Sequence, residues 1–181
     1  MGGILGWVYS FMGFFGLLKK QTKILILGLN QAGKSTLLMQ MAHRRPGGLQ
    51  PTIHPTSEEL VIQSVRFVAV NFGGYRQGRH VWSDHLQDVA GVILLVDAAD
   101  KKRFVEVKPQ LDALLATKEM RKIPIVVLGN KVEQLHAVSK EELRHELGLG
   151  RIRGRPIELC MCSLSLRLGD GEALRWLADH I

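Results

Sequence analysis

Lys34 and Ser35 close the run Gly28 to Ser35, which reads G-L-N-Q-A-G-K-S and fits the pattern G-x-x-x-x-G-K-[ST]. Those residue types at that spacing suit one task. Two glycines let the backbone curl until successive N–H groups converge on an anion, and a lysine adds a point charge. A hydroxyl directly after the lysine can ligate Mg²⁺. The expectation is a loop that grips a nucleoside tri- or diphosphate. Asn30, Gln31, Ala32, Gly33, Lys34, Ser35 and Thr36 form its wall.

The flanking residues supply what such a loop needs. Lys23 to Leu27 is aliphatic and β-branched, which predicts a buried parallel strand. The residues from Ser35 to about His43 are helix-forming, so a positive helix end points at the same spot. The reading of the motif rests on this strand, loop and helix context.

Composition bounds the rest. The chain has 181 residues, 46% of them hydrophobic, enough for one domain with a sizeable core. A net charge of +7 favours anionic partners without choosing among them. Aromatics are only 6% and are not interleaved with the basic residues, so a nucleic-acid groove is not expected. Arg151, Arg153 and Arg155 read as a solvated loop. Cys160 and Cys162, two apart on a strand end, point the same way at a spacing that suits a disulfide poorly, and reduced thiols are expected.

Gly2 to Leu18 carries no charge and is closed by Lys19 and Lys20. At 1.5 Å per residue this run gives about 26 Å of helix, marginal for crossing a bilayer. On a helix, Ile4, Leu5, Val8, Phe11, Met12 and Phe15 share one side, while the glycines and Tyr9 share the other. That asymmetry predicts an amphipathic helix lying in a membrane surface over residues 1–20, with residues 21–181 forming the globular domain. A helix docked on the protein and a transmembrane anchor are the alternatives. Met1-Gly2 raises myristoylation, although Gly6 stands where that motif wants Ser or Thr.

Further along, Arg44 to Pro55 is a Pro/Gly-rich loop fit to move with a bound nucleotide. Glu59 to Val65 and Arg66 to Phe72 read as a hairpin turning near Gln63-Ser64, and Gly73-Gly74 ends it. Tyr75 to Leu86 reads as an irregular helix. Gly91 to Val96, Ile123 to Leu128 and Pro156 to Met161 read as strands. Arg103 to Thr117, the segment capped by Ser139 with Glu142, and Asp170 to Ile181 read as helices. The alternation predicts an α/β fold with a mostly parallel six-stranded sheet and helices on both faces. Its ligand loops gather at the carboxyl ends of the strands.

Five stretches together carry a family likeness: GLNQAGKS, PTIHPTSEEL at Pro51 to Leu60, NFGGYRQGRHVW at Asn71 to Trp82, GNKVE at Gly129 to Glu133, and MCSL at Met161 to Leu164. In order and spacing the chain resembles the SAR-type small GTPases, the secretion-associated branch beside the Arf proteins. The resemblance implies a Ras-like P-loop GTPase fold and a switch driven by GTP and GDP with Mg²⁺. It implies work at the cytoplasmic face of the endoplasmic reticulum membrane, cycling with cytosol and extending to the Golgi. Implied partners are COPII coat proteins, a guanine nucleotide exchange factor and a GTPase-activating coat subunit. Lys34 would sit on the β/γ-phosphates, with Ser35 and Thr52 on Mg²⁺ and the Gly74 N–H on the γ-phosphate. Asn130, Lys131 and Glu133 would hold the base, and the backbone at Ser163 and Leu164 would meet its oxygen. The hairpin would slide in register and eject the amino-terminal helix.

The chain departs from the family at the nucleotide. Asn30 and Asn71 stand where Asp is usual, and Asn71 drops a charge that supports Mg²⁺ through a water. Tyr75 takes the catalytic place of a water-orienting His; a phenol is a poor acceptor at neutral pH. Glu133 replaces an Asp, moving a base-reading carboxylate by roughly 1.5 Å, a misfit worth about 1–3 kcal/mol. Slow hydrolysis follows from these changes, and a non-cycling pseudo-GTPase adaptor is the second reading. A third takes Val92 to Asp97 as an ATPase strand whose Asp97 supports Mg²⁺.

Overall fold

The computed structural model describes residues 22–43, 52–53, 57–62, 64–71 and 81–181. The predicted amino-terminal helix, Gly74 and Tyr75 lie outside these residues.

Strand β1, Thr22–Gly28, is buried along nearly its whole length, as a strand covered on both faces must be. It is followed by α1, Lys34–His43, and then by β2, Thr52–Ile53, β3, Ser57–Ile62, and β4, Val65–Asn71. The order continues with β5, Val89–Asp97, α2, Phe104–Ala116, and β6, Ile125–Asn130. It ends with α3, Lys140–Glu146, β7, Ile157–Met161, and α4, Asp170–His180. The sheet order is β2-β3-β4-β1-β5-β6-β7. Pairs β4–β1, β1–β5, β5–β6 and β6–β7 are parallel, and β2–β3 and β3–β4 are antiparallel.

All six predicted strands form. A two-residue seventh piece, Thr52–Ile53, extends the edge where a loop was expected, because the backbone there pairs with Glu59 and Glu58. The hairpin turns at Ser64 as expected, and Thr22 donates its N–H to the Ser64 carbonyl at 2.7 Å. Of the predicted irregular helix from Tyr75, the described part is a 3-10 turn at Val81–His85.

Alternation along β1 divides the core. Ile24 and Ile26 pack with Leu37 and Leu38 of α1 and Leu174 and Leu177 of α4. Leu25 and Leu27 face the other layer, with Leu111 and Leu114 of α2 and Leu143 of α3. Truncating one such leucine to alanine costs about 2–5 kcal/mol, so the central strand is held hard from both sides. Half of the predicted capping box forms: Glu142 N–H donates to Ser139 Oγ at 3.1 Å. The Glu142 side chain instead meets Lys101 at 2.6 Å. Cys160 and Cys162 are free and buried, and burial pushes their thiols up to about 11 and about 12. Among the described residues no helix is long and apolar enough to cross a membrane.

Candidate nucleotide site

The carboxyl ends of β1 and β6 bring the phosphate loop together with Asn130, Lys131 and Glu133. A pocket of about 470 Å³ is lined by Asn30, Gln31, Gly33, Lys34, Ser35, Thr36, Asn130, Lys131, Glu133 and Leu164. Ala32 and Ser163 are buried. Glu58, Gln134 and Ser165 also line the pocket, and the sequence reading did not single them out.

The two glycines of the loop are required for different reasons. A Cβ on Gly28 would stand 2.6 Å from the Leu95 carbonyl of the adjacent strand. Gly33 holds φ +113°, and a Cβ there would stand 2.5 Å from Asn130 Nδ2. Gln31, at φ 67°, completes the curl. Lys34 crosses the loop to donate to the Leu29 carbonyl at 3.0 Å. Burial lowers its pKa to about 8, with Glu58 opposing the shift and Arg103 adding to it. A partly buried ammonium is a suitable receptor for phosphate oxygen.

Ser35 Oγ donates to Glu58 Oε1 at 2.5 Å. These hard oxygens suit Mg²⁺, which takes one or two protein ligands and leaves the rest of its octahedron to phosphate and water. The residues present therefore fit the ion: Ser35 would hold it, and Glu58 would contribute negative charge alongside. The backbone of Asn71 pairs with Gly28 at the mouth of the loop, and Thr52 pairs with Glu59 at the sheet edge.

The base end is built by side chains. Asn130 is buried; its Nδ2 donates to the Ala32 carbonyl at 2.9 Å and its Oδ1 accepts the Leu164 N–H at 3.0 Å. One amide thus ties the phosphate loop to the loop after β7. Lys131, at φ 70°, extends to Asp97 with Nζ 2.6 Å from Oδ2. The other Asp97 oxygen accepts the Ala99 N–H at 2.9 Å. Both oxygens are engaged, so Asp97 orients Lys131, and the carboxylate that meets Ser35 is that of Glu58. Ser163 exchanges both backbone bonds with Leu168 at 2.9 Å, so its amide is already used. Ser165 Oγ donates to Glu133 Oε1 at 2.7 Å. Hydrogen bonds from Ser163 and then Ser165 hold the Glu133 carboxyl below its usual range. It is therefore charged at neutral pH, the form that can accept from base N–H groups.

A parallel sheet with a phosphate loop after its first strand and a side-chain cradle after β6 defines a P-loop nucleotide-binding protein. Comparison with known proteins narrows this. Residues 8–181 match the model of the ADP-ribosylation factor family. The chain is 36% identical to a protein named small COPII coat GTPase SAR1 from Nicotiana tabacum, over 98% of each chain. It is 35% identical to one of the same name from Giardia intestinalis, over 99% of this chain and 100% of the relative. ADP-ribosylation factor-like protein 3 of Caenorhabditis elegans is 30% identical over 94% of this chain and 97% of its own. The chain belongs to the ADP-ribosylation factor family, a branch of the small GTPases.

Proposed function

We propose that this protein is a GTP-driven switch that starts COPII coat assembly on the cytoplasmic face of the endoplasmic reticulum, hydrolysing GTP slowly without a partner. The observation that carries the reading is Asn130, whose amide joins the phosphate loop to the base loop and so couples polyphosphate and base in one pocket. The name borne by the tobacco and Giardia relatives supplies the coat. Lys34 and the loop amides bind the phosphates; Ser35, with Thr52 and Asn71, serves Mg²⁺; Lys131 and Glu133 hold guanine. Gly74 senses the γ-phosphate, so its loss releases that segment and the Thr52 loop. The hairpin β3–β4, registered with Gly28 opposite Asn71, slides along β1 when GTP binds and frees residues 1–20 for the membrane. An exchange factor loads GTP, and a coat subunit supplies the charge that accelerates hydrolysis.

Asn71 and Tyr75 keep the non-cycling adaptor as the second reading. Titration of purified protein with GTP, GDP and ATP in Mg²⁺ decides between them. The switch reading expects tight, Mg²⁺-dependent guanine binding and vesicle attachment that differs between GTP and GDP; guanine binding without that difference selects the adaptor. Absence of guanine binding ends the switch reading.

A further inference from the structure

The parallel strands β1, β5, β6 and β7, like β4, place their amino-terminal ends on one edge, opposite the nucleotide pocket. Two loops lie there side by side, 117–124 before β6 and 148–156 before β7. Ile125 N–H donates to the Pro156 carbonyl at 3.0 Å. Arg155 Nη2 donates to the Leu115 carbonyl at the end of α2 at 3.1 Å. The loops carry Lys118, Arg121, Lys122, Arg151, Arg153 and Arg155 against a single acid, Glu119. The first five are exposed, and among the described residues none of the six is in an ion pair. Next to β5 the same edge is mixed, with Lys23 and Arg66 beside Asp84 and Asp88 around a hollow of about 750 Å³. The uncompensated charge is therefore a property of the β6–β7 corner.

We propose that this corner is a lipid-facing surface that docks on anionic phospholipid headgroups. The same edge is where the chain enters the fold at Thr22, after the uncharged run closed by Lys19 and Lys20. Strands lie about 4.8 Å apart, so β6 and β7 stand only about 10–14 Å from that entry. A segment reaching a bilayer from Thr22 brings the corner within the range over which an anionic leaflet attracts basic residues. No Phe, Trp or Tyr lies in either loop, which removes the stacking platform that a single-stranded nucleic acid requires. The nucleotide pocket then faces away from the membrane, open to soluble partners. The proposal needs the fold and not the nucleotide cycle, so the two fail separately.

The test is flotation of the full chain with phosphatidylcholine vesicles, with and without phosphatidylserine, at low and high salt. One variant carries Lys122→Gln and Arg151→Gln, both exposed and outside any ion pair. A control carries Lys102→Gln and Arg175→Gln, exposed elsewhere, with the same loss of charge. At about fivefold per cation near an anionic surface, the corner variant loses about tenfold or more of the preference for anionic vesicles. It keeps its binding to neutral vesicles, and the control keeps both. Equal loss in the control reduces the effect to net charge and overturns the proposal. So does an unchanged preference in the corner variant, or a parent protein with none. Loss of retention on a polyribonucleotide with vesicle binding intact assigns the corner to nucleic acid instead.

Discussion

The two ends of the pocket are built on different principles. The phosphate loop is shaped by backbone: Gly33 at φ +113° and Gln31 at φ 67° curl the chain, and one lysine adds charge. At the base end, recognition rests on side chains from distant parts of the chain. Asn130 ends β6, with Lys131 and Glu133 just after it; Ser163 and Ser165 follow β7, and Asp97 ends β5. A backbone cradle tolerates side-chain change at positions such as Asn30, whereas a side-chain cradle registers every change. Glu133 accordingly has a side-chain contact from Ser165, while the contact at Asn30 is to its backbone, Arg103 Nη1 donating to the carbonyl at 2.9 Å.

Asn130 bonds to both loops through one buried amide, so removing it gives the largest effect. Asn130→Ala leaves the Ala32 carbonyl and the Leu164 N–H without their buried partner. At about 1–3 kcal/mol for each unsatisfied group, the folded state loses about 2–6 kcal/mol. Chemical denaturation of parent and variant checks this. A variant as stable as its parent would show the two ends to be independent, and the comparison would break.

Proton linkage separates the ends next. The Lys34 pKa lies at about 8 before phosphate binds, and a polyphosphate beside it raises that value. The complex therefore holds more protons than the free protein above pH 8. Affinity is full below about pH 8 and falls as pH rises beyond it, by up to about tenfold per unit. Calorimetric titration of GDP between pH 7 and 9.5 in two buffers of different ionisation enthalpy reads both the affinity and the proton uptake. Lys34→Arg, which stays charged throughout, flattens the curve. A flat profile in the parent removes Lys34 from the phosphate end.

The same contrast governs what was legible from sequence. The phosphate loop is one contiguous string, so its type, its flanking strand and its helix are all readable from neighbours. The capping serine at Ser139 and the hairpin turn at Ser64 are local as well, and both appear where expected. Glu58 and Ser165 were not found, because each acts through a partner far along the chain: Ser35 lies 23 residues from Glu58, and Glu133 lies 32 from Ser165. The available signals were slight, a second acid in Ser-Glu-Glu-Leu and a serine two past Ser163. Asp97 left a competing reading open for a related reason. An aspartate ending a hydrophobic strand is common to metal-supporting and lysine-orienting roles, and only its engagement with Lys131 distinguishes them.

Glu133 and Ser165 sharpen the comparison at its smallest scale. A carboxylate one methylene longer than the family's overshoots unless something holds it. Ser165 Oγ accepts that task, sharing the carboxylate with Ser163. On the proposed function the base N–H groups facing it would include the exocyclic amine of guanine, which inosine lacks, so discrimination between GDP and IDP tests the reading directly. Glu133→Gln loses the charged acceptor and gives up most of that discrimination. Ser165→Ala keeps the carboxylate but frees it, at a cost of about 0.5–1.5 kcal/mol, or roughly two- to twelvefold. Glu133→Asp restores the shorter reach and makes Ser165→Ala nearly silent, a coupling that a double-mutant cycle isolates. Additive effects in that cycle would place Ser165 in the loop's own packing. Loss of binding to both nucleotides alike would place the defect at the phosphate end.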